Sequence, residues 1–193
     1  MRVLLLAALA TVISISACGG SGDGDEGDIE TLEVYFEEMQ DLVDEYNDKS
    51  ADLDFSNLTT GFGEAAFAKA QEELSEVIEL GTRQVKDLDS LDPPPLAKDA
   101  HVDLVSELRS LVAFFGEAAA LQSEQELDDF FPDNQSRLQA IVFAAAAACY
   151  NLQAIADEHD IAVELCAEES PPPIEFGWRT SRAEPVGALG TEL

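Results

Sequence analysis

The sequence predicts an all-α chain: an antiparallel four-helix bundle with a flexible N-terminal tether and an extended C-terminal tail. Three observations carry this. Between residue 29 and Cys166 the apolar residues recur in alternating steps of three and four, the period of one helix face. Proline, glycine and cap residues interrupt that period so as to leave four stretches with short or medium connections. No alternating strand pattern of useful length occurs, Ile161 to Leu165 being the one candidate. The organisation that follows is a leader over 1–17, a linker over 18–28, the bundle over 29–169 and the tail over 170–193.

At the N-terminus Met1 and Arg2 give a short positive start, Val3 to Ile15 runs thirteen residues without charge, and Ser16 and Ala17 are small. That is the layout of an export signal, and it falls short of the roughly 20 apolar residues that a spanning helix needs. Ile15-Ser16-Ala17-Cys18 resembles the lipobox of bacterial lipoproteins. The resemblance covers only about the first twenty residues. It implies cleavage before that cysteine and lipidation of its thiol, with Cys18 as the first mature residue. An ordinary signal peptide with a chance cysteine, or a buried N-terminal helix, are the alternatives. Gly19 to Asp28 then holds five glycines and four acids with nothing to bury, the composition of a solvated tether.

The first helix is drawn by Ile29, Leu32, Phe36, Met39, Val43 and Tyr46 on one face, with Glu30, Glu33, Glu37, Glu38, Asp41, Asp44 and Glu45 on the other. A connection from Asn47 to Gly63 follows, in which Phe55 and Leu58 are the residues to tuck against the bundle. Phe67, Ala70, Leu74, Val77, Ile78, Val85, Leu88 and Leu91 form the second seam, which Asp92-Pro93-Pro94-Pro95 stops. Proline cannot continue a helix interior but suits the first turn of the next helix. The third seam is Ala97, His101, Leu104, Leu108, Leu111, Phe115, Ala118 and Leu121. Ser123 with Glu126 is a capping box, predicting a short helix to about Phe131, broken or kinked at Pro132. Leu138, Ile141, Val142, Ala145, Cys149, Leu152 and Ile155 make the fourth seam. Five consecutive alanines at its centre leave room for a neighbouring helix to come close. From Ser170 the triple proline and late glycines read as tail, with Ile174, Phe176 and Trp178 able to pin its first part to the bundle.

Cys149 and Cys166 are expected to be oxidised together in an exported chain, the alternative being two buried free thiols. The fourth helix climbs ~12 Å beyond Cys149 if it ends near Asp157. The return from Glu158 can cover roughly 25 Å extended, so the loop can close, for a stabilisation of ~3 kcal/mol.

Without residues 1–17 about 176 remain, enough for one domain with a sizeable core. The full chain carries 40 acids against 10 Lys and Arg, a net charge of −30. That argues against nucleic acid, whose phosphates call for clustered Lys and Arg, and against electrostatic docking on anionic lipid. Solubility or a saline setting accounts for the excess most simply; recruitment of a cationic ligand or divalent ions is the sharper alternative.

Chemistry leaves few marks. The residues three before His101 and His159 are Lys98 and Ala156, not the Glu of a di-iron bundle. Met39 and His101 both lie on seams, which keeps noncovalent haem open as the lesser reading beside an ordinary core or cap histidine. Residues 23–28, DGDEGD, lack the Gly and the bidentate Glu of a helix-loop-helix calcium site. Nucleophile-elbow, phosphate-loop and zincin motifs are absent. Tyr35, Phe36, Phe67, Phe114, Phe115, Phe130, Phe131 and Phe143 either fill a core or line a cavity, and core is the commoner use.

Pro93 to Pro95 before a helix with an early histidine, His101, and the late pair Cys149 and Cys166 make the chain similar to small, mostly uncharacterised bacterial lipoproteins. That resemblance is loose and implies no activity. The expectation is a non-enzymatic, cofactor-free protein at the extracytoplasmic face of the cell envelope. Its contacts would be the membrane, through Cys18, and an unidentified protein or small molecule. The alternative is a carrier or sensor of a small cationic or hydrophobic ligand held in the bundle.

Overall fold

The computed structural model describes residues 26–53 and 64–166. The leader, Cys18, most of the linker, Phe55, Leu58 and the tail with Ile174, Phe176 and Trp178 lie outside the described residues. Four helices follow one another: α1 (Glu26–Ala51), α2 (Glu64–Asp89), α3 (Lys98–Ala119) and α4 (Glu124–Glu158). They form the antiparallel bundle, each packed mainly on its neighbour in sequence. Among the described residues there is no strand.

The interior falls into two clusters because a helix pairs its seam with whatever lies at the same height. In the first, Leu32, Tyr35, Phe36 and Met39 of α1 meet Leu88 at the end of α2, Ala100, Leu104 and Val105 early in α3, and Ala148, Leu152 and Ala156 late in α4. In the second, Ala70 and Leu74 of α2 meet Phe114, Phe115 and Ala118 late in α3 and Leu127, Phe131 and Leu138 early in α4. No α1 residue belongs to the second cluster, so that end of the bundle is built by three helices.

Several boundaries differ from the sequence expectation. α1 starts at Glu26 and runs on to Ala51, past Asn47. Ile29 at its first turn is 41% exposed, while Tyr35, which the seam left out, is buried. Of the break or kink expected at Pro132, the break is absent: one helix of 35 residues runs through it. Proline in a helix interior costs about 3 kcal/mol through its missing donor and its clash with the preceding turn. Leu127 and Phe131 before it and Leu138 after it are all buried in the second cluster. Burying such side chains is worth ~1.5–3 kcal/mol each, so packing on both sides outweighs the proline. The capping box does form: Glu126 N–H donates to Ser123 Oγ at 3.3 Å, and the Glu126 carboxylate accepts from Gln122 N–H at 2.9 Å.

Of the five alanines only Ala148 enters the core, and Ala147 is exposed. At about 100° per residue a run of five samples every side of a helix, so it cannot all face one neighbour. Ile161 to Leu165 is not a strand: Val163 N–H donates to Ile161 C=O at 3.0 Å within the segment, and the backbone of Val163, Glu164 and Leu165 bonds to glutamine side chains.

Candidate functional site

α4 ends in a turn that sends the chain back along it. Asp160 takes a left-handed conformation (φ 57°). Ile161 N–H donates to Ala156 C=O at 2.9 Å and Asp160 N–H to Asp157 C=O at 3.2 Å. This is the paired-bond helix stop, with aspartate in the place glycine usually holds because its short polar side chain tolerates that region. The return segment then lays Ile161 and Leu165 into the first cluster. Gln153 takes the place of a neighbouring strand: its Nε2 donates to Val163 C=O at 2.9 Å and its Oε1 accepts from Leu165 N–H at 2.8 Å. Gln40 of α1 accepts from Glu164 N–H at 2.6 Å. Cys166 closes the segment onto α4 by a disulfide to Cys149, with Cα atoms 6.0 Å apart. The expected pairing is present, and two free thiols are not.

The same cluster holds a buried polar pair. Tyr35 Oη sits 2.9 Å from His101 Nδ1 and 3.9 Å from Met39 Sδ. Both rings are buried, and they meet at 5.9 Å in an edge arrangement. Burial lowers the pKa of His101 from its ordinary 6.5, with Asp89 opposing, and burial raises that of Tyr35. The pair is therefore a neutral imidazole against a neutral phenol. It holds α1 to α3, and in this state neither member is charged. At the other end of α1, Tyr46 Oη donates to Asp87 at 2.5 Å, and burial followed by that bond pushes its pKa up to about 12.

The sequence placed Met39 and His101 on seams, and the structure brings them together through Tyr35. Two residues of the seam therefore converge, but the donor between them is one that helix periodicity passed over. Gln40 and Gln153, which carry the return segment, were missed altogether; nothing in their spacing marks a glutamine that will meet backbone. Among the described residues no group of three or more His, Cys, Asp or Glu side chains is placed to hold a metal ion. His159 caps the end of α4. Phe114, Phe115, Phe130 and Phe131 pack on one another at 5.2–6.1 Å between centroids, filling the second cluster. Arg137 covers Phe114 at 5.4 Å while its two terminal nitrogens grip Glu117 at 2.5 and 2.7 Å.

The fold and these contacts define a class: an acidic four-helix bundle whose last helix is strapped by a disulfide-closed return segment. No protein family, curated protein or solved structure matches the chain.

Proposed function

We propose that this chain is a lipid-anchored helical bundle of the extracytoplasmic face, acting by binding or structural interaction. The observation that carries the reading is Ile15-Ser16-Ala17-Cys18 closing an uncharged N-terminal run and opening a glycine-rich acidic linker. The Cys149–Cys166 disulfide supports it, because such bonds persist in oxidising compartments. So does the use of polar side chains for contacts within the bundle: buried His101 on Tyr35, and half-buried Asp87 on Tyr46 and Gln153 on the return segment. A bundle held off the membrane by a solvated tether presents its acidic outer faces to partners, with a field that favours cationic ones.

Detergent-phase partitioning tests the anchor. The wild-type chain, expressed in a bacterium with a lipoprotein pathway, is expected in the detergent phase and to incorporate labelled fatty acid. Cys18→Ser is expected in the aqueous phase without label. A serine variant that still partitions into detergent and takes up label overturns the reading.

A further inference from the structure

α4 carries no charged residue from Leu138 to Ala156. By length and composition it is the one helix among the described residues apolar enough to cross a membrane, yet only 17% of its most apolar 18 residues is buried. Its inward stripe, Leu138, Ala148, Leu152 and Ala156, meets the core. Its outward stripe, Phe143, Ala147, Asn151 and Ala154, faces solvent, with Phe143 47% exposed and Asn151 its one polar member. Covering a phenylalanine ring gains ~1.5–3 kcal/mol when it is fully withdrawn from water, so an occupant of this face would gain part of that.

The chain supplies one that starts from the right place. Because Cys166 is bonded to Cys149, residues 167–193 follow from a point held against the last third of α4. Phe143 lies about 9 Å from Cys149 along the helix. The stretch from Cys166 to Ile174 reaches as far as roughly 26 Å. The segment IEFGWRTSR at 174–182 holds Phe176, the chain's one tryptophan, Trp178, and two arginines against one glutamate, in a chain of net charge −30. Beside its point of departure stand acids of α1. Gln40 of α1 bonds both Glu164 of the return segment and the exposed Asp44, and the exposed Glu37 and Asp41 lie within one helical turn of Gln40.

We propose that residues 174–182 dock on the outer face of α4 around Phe143, their aromatic rings on the apolar stripe and Arg179 and Arg182 toward the acids of α1. The occupant is matched to the surface in reach, in apolarity and in charge.

Trp178 reports on this directly. The probe is the full chain carrying Cys18→Ser, purified without detergent and with its disulfide formed, so the outcome does not depend on whether Cys18 is lipidated. Its tryptophan emission is expected to be blue-shifted at every protein concentration. Acrylamide quenching is expected to be several-fold weaker than for N-acetyltryptophanamide. Phe143→Asp should move the emission to that of a solvated indole and raise quenching several-fold, with helix content by circular dichroism unchanged. If the aspartate lowers helix content, Phe143→Gln repeats the measurement with a better helix former. Four results overturn the proposal. Trp178 is quenched like the free amide; its protection is the same with and without Phe143; protection appears only as concentration rises, which assigns the face to a second copy; or it appears only on adding phosphatidylcholine vesicles, which assigns the face to a membrane.

Discussion

At one end of the bundle α1, the end of α2, α3, α4 and the return segment meet around Tyr35, Phe36, Leu88, Leu104 and Leu152, tied by the Tyr35–His101 bond, the two glutamines and a disulfide. At the other end α2, α3 and α4 meet around Phe114 and its three phenylalanine neighbours, and the ties are a surface Arg137–Glu117 pair and the Ser123 capping box. The difference follows from what each end assembles. Two antiparallel helices joined by a short connection stay in register through their loop, so large rings suffice at the second end. The first end recruits α1 and a non-helical segment whose backbone has no helix to satisfy it. Polar contacts and a covalent bond there do what a short loop does elsewhere. Buried polar pairs of this sort add less stability than rings but penalise wrong arrangements, since a mispaired donor in the interior costs ~1–3 kcal/mol.

The comparison breaks most sharply at Phe114, which is fully buried and touches three other rings. Phe114→Ala is expected to cost about 3–5 kcal/mol by urea unfolding. Hydrogen exchange should quicken first in late α3 and early α4. Equal quickening in α1 would show that the two ends unfold as one unit.

Removing the disulfide comes next. Cys149→Ser with Cys166→Ser is expected to cost ~2–5 kcal/mol, as for native disulfides of small secreted domains. Here the exchange should rise in residues 161–166 and in α1, through the lost hold of Glu164 on Gln40, while the Phe114 end keeps its protection. A uniform loss would place the disulfide's effect in the unfolded chain alone.

Tyr35→Phe isolates the polar tie. It leaves His101 Nδ1 buried without its partner, for an expected loss of ~1–3 kcal/mol. The same histidine sets a pH dependence. Its folded pKa lies below the ordinary 6.5 because of burial, so the unfolded chain takes up a proton before the folded one does. Stability is then complete above about pH 6.5 and declines as pH falls below it. The carboxylates of Glu117 and Glu126, lowered by bonds from Arg137 and from Gln122 respectively, contribute only at more acid pH. Urea midpoints between pH 7.5 and 5, read beside the imidazole resonances in NMR, should follow the His101 titration; His101→Gln should flatten the slope.

The smallest effect concerns the outer face of α1. Glu33, Glu37, Asp41 and Glu45 stand at successive four-residue steps, as do Asp44 and Asp48. Each step costs ~0.2–0.5 kcal/mol, and the Glu45–Lys49 pair returns a similar amount once. The net is about 1 kcal/mol, and it is screened as the Debye length falls from ~10 Å at 0.1 M to ~3 Å at 1 M salt. Tm is expected to rise with NaCl, with calcium and magnesium acting alike. An unchanged Tm would show the acids fully solvated; one divalent ion acting alone would show a specific site.

Much of the fold was legible in the sequence because helix periodicity is a local signal. The seams through Leu32, Phe36, Met39, Leu74, Leu88, Leu104, Phe115, Leu138 and Leu152 are buried as expected. The Ser123–Glu126 box stands where its spacing puts it, and Cys149 and Cys166 pair as reach allows. The candidate site was less legible. That Tyr35 would meet His101, sixty-six residues away, depends on the height at which α1 sits against α3. Helix period fixes a residue's side but not the axial offset between helices, because many offsets bury similar apolar area.

The sequence by itself determined four amphipathic helices, their order, the stop at Pro93 to Pro95 and the acid character of the outer faces. Only the tertiary structure decided that α4 runs through Pro132, that α1 joins one core cluster and not the other, and that Phe143 faces water. The physical reason is one of range. Propensity, capping and periodicity act within a few residues, whereas the burial of Leu127, Phe131 and Leu138 against α3 outweighs a local proline penalty only once the helices have met.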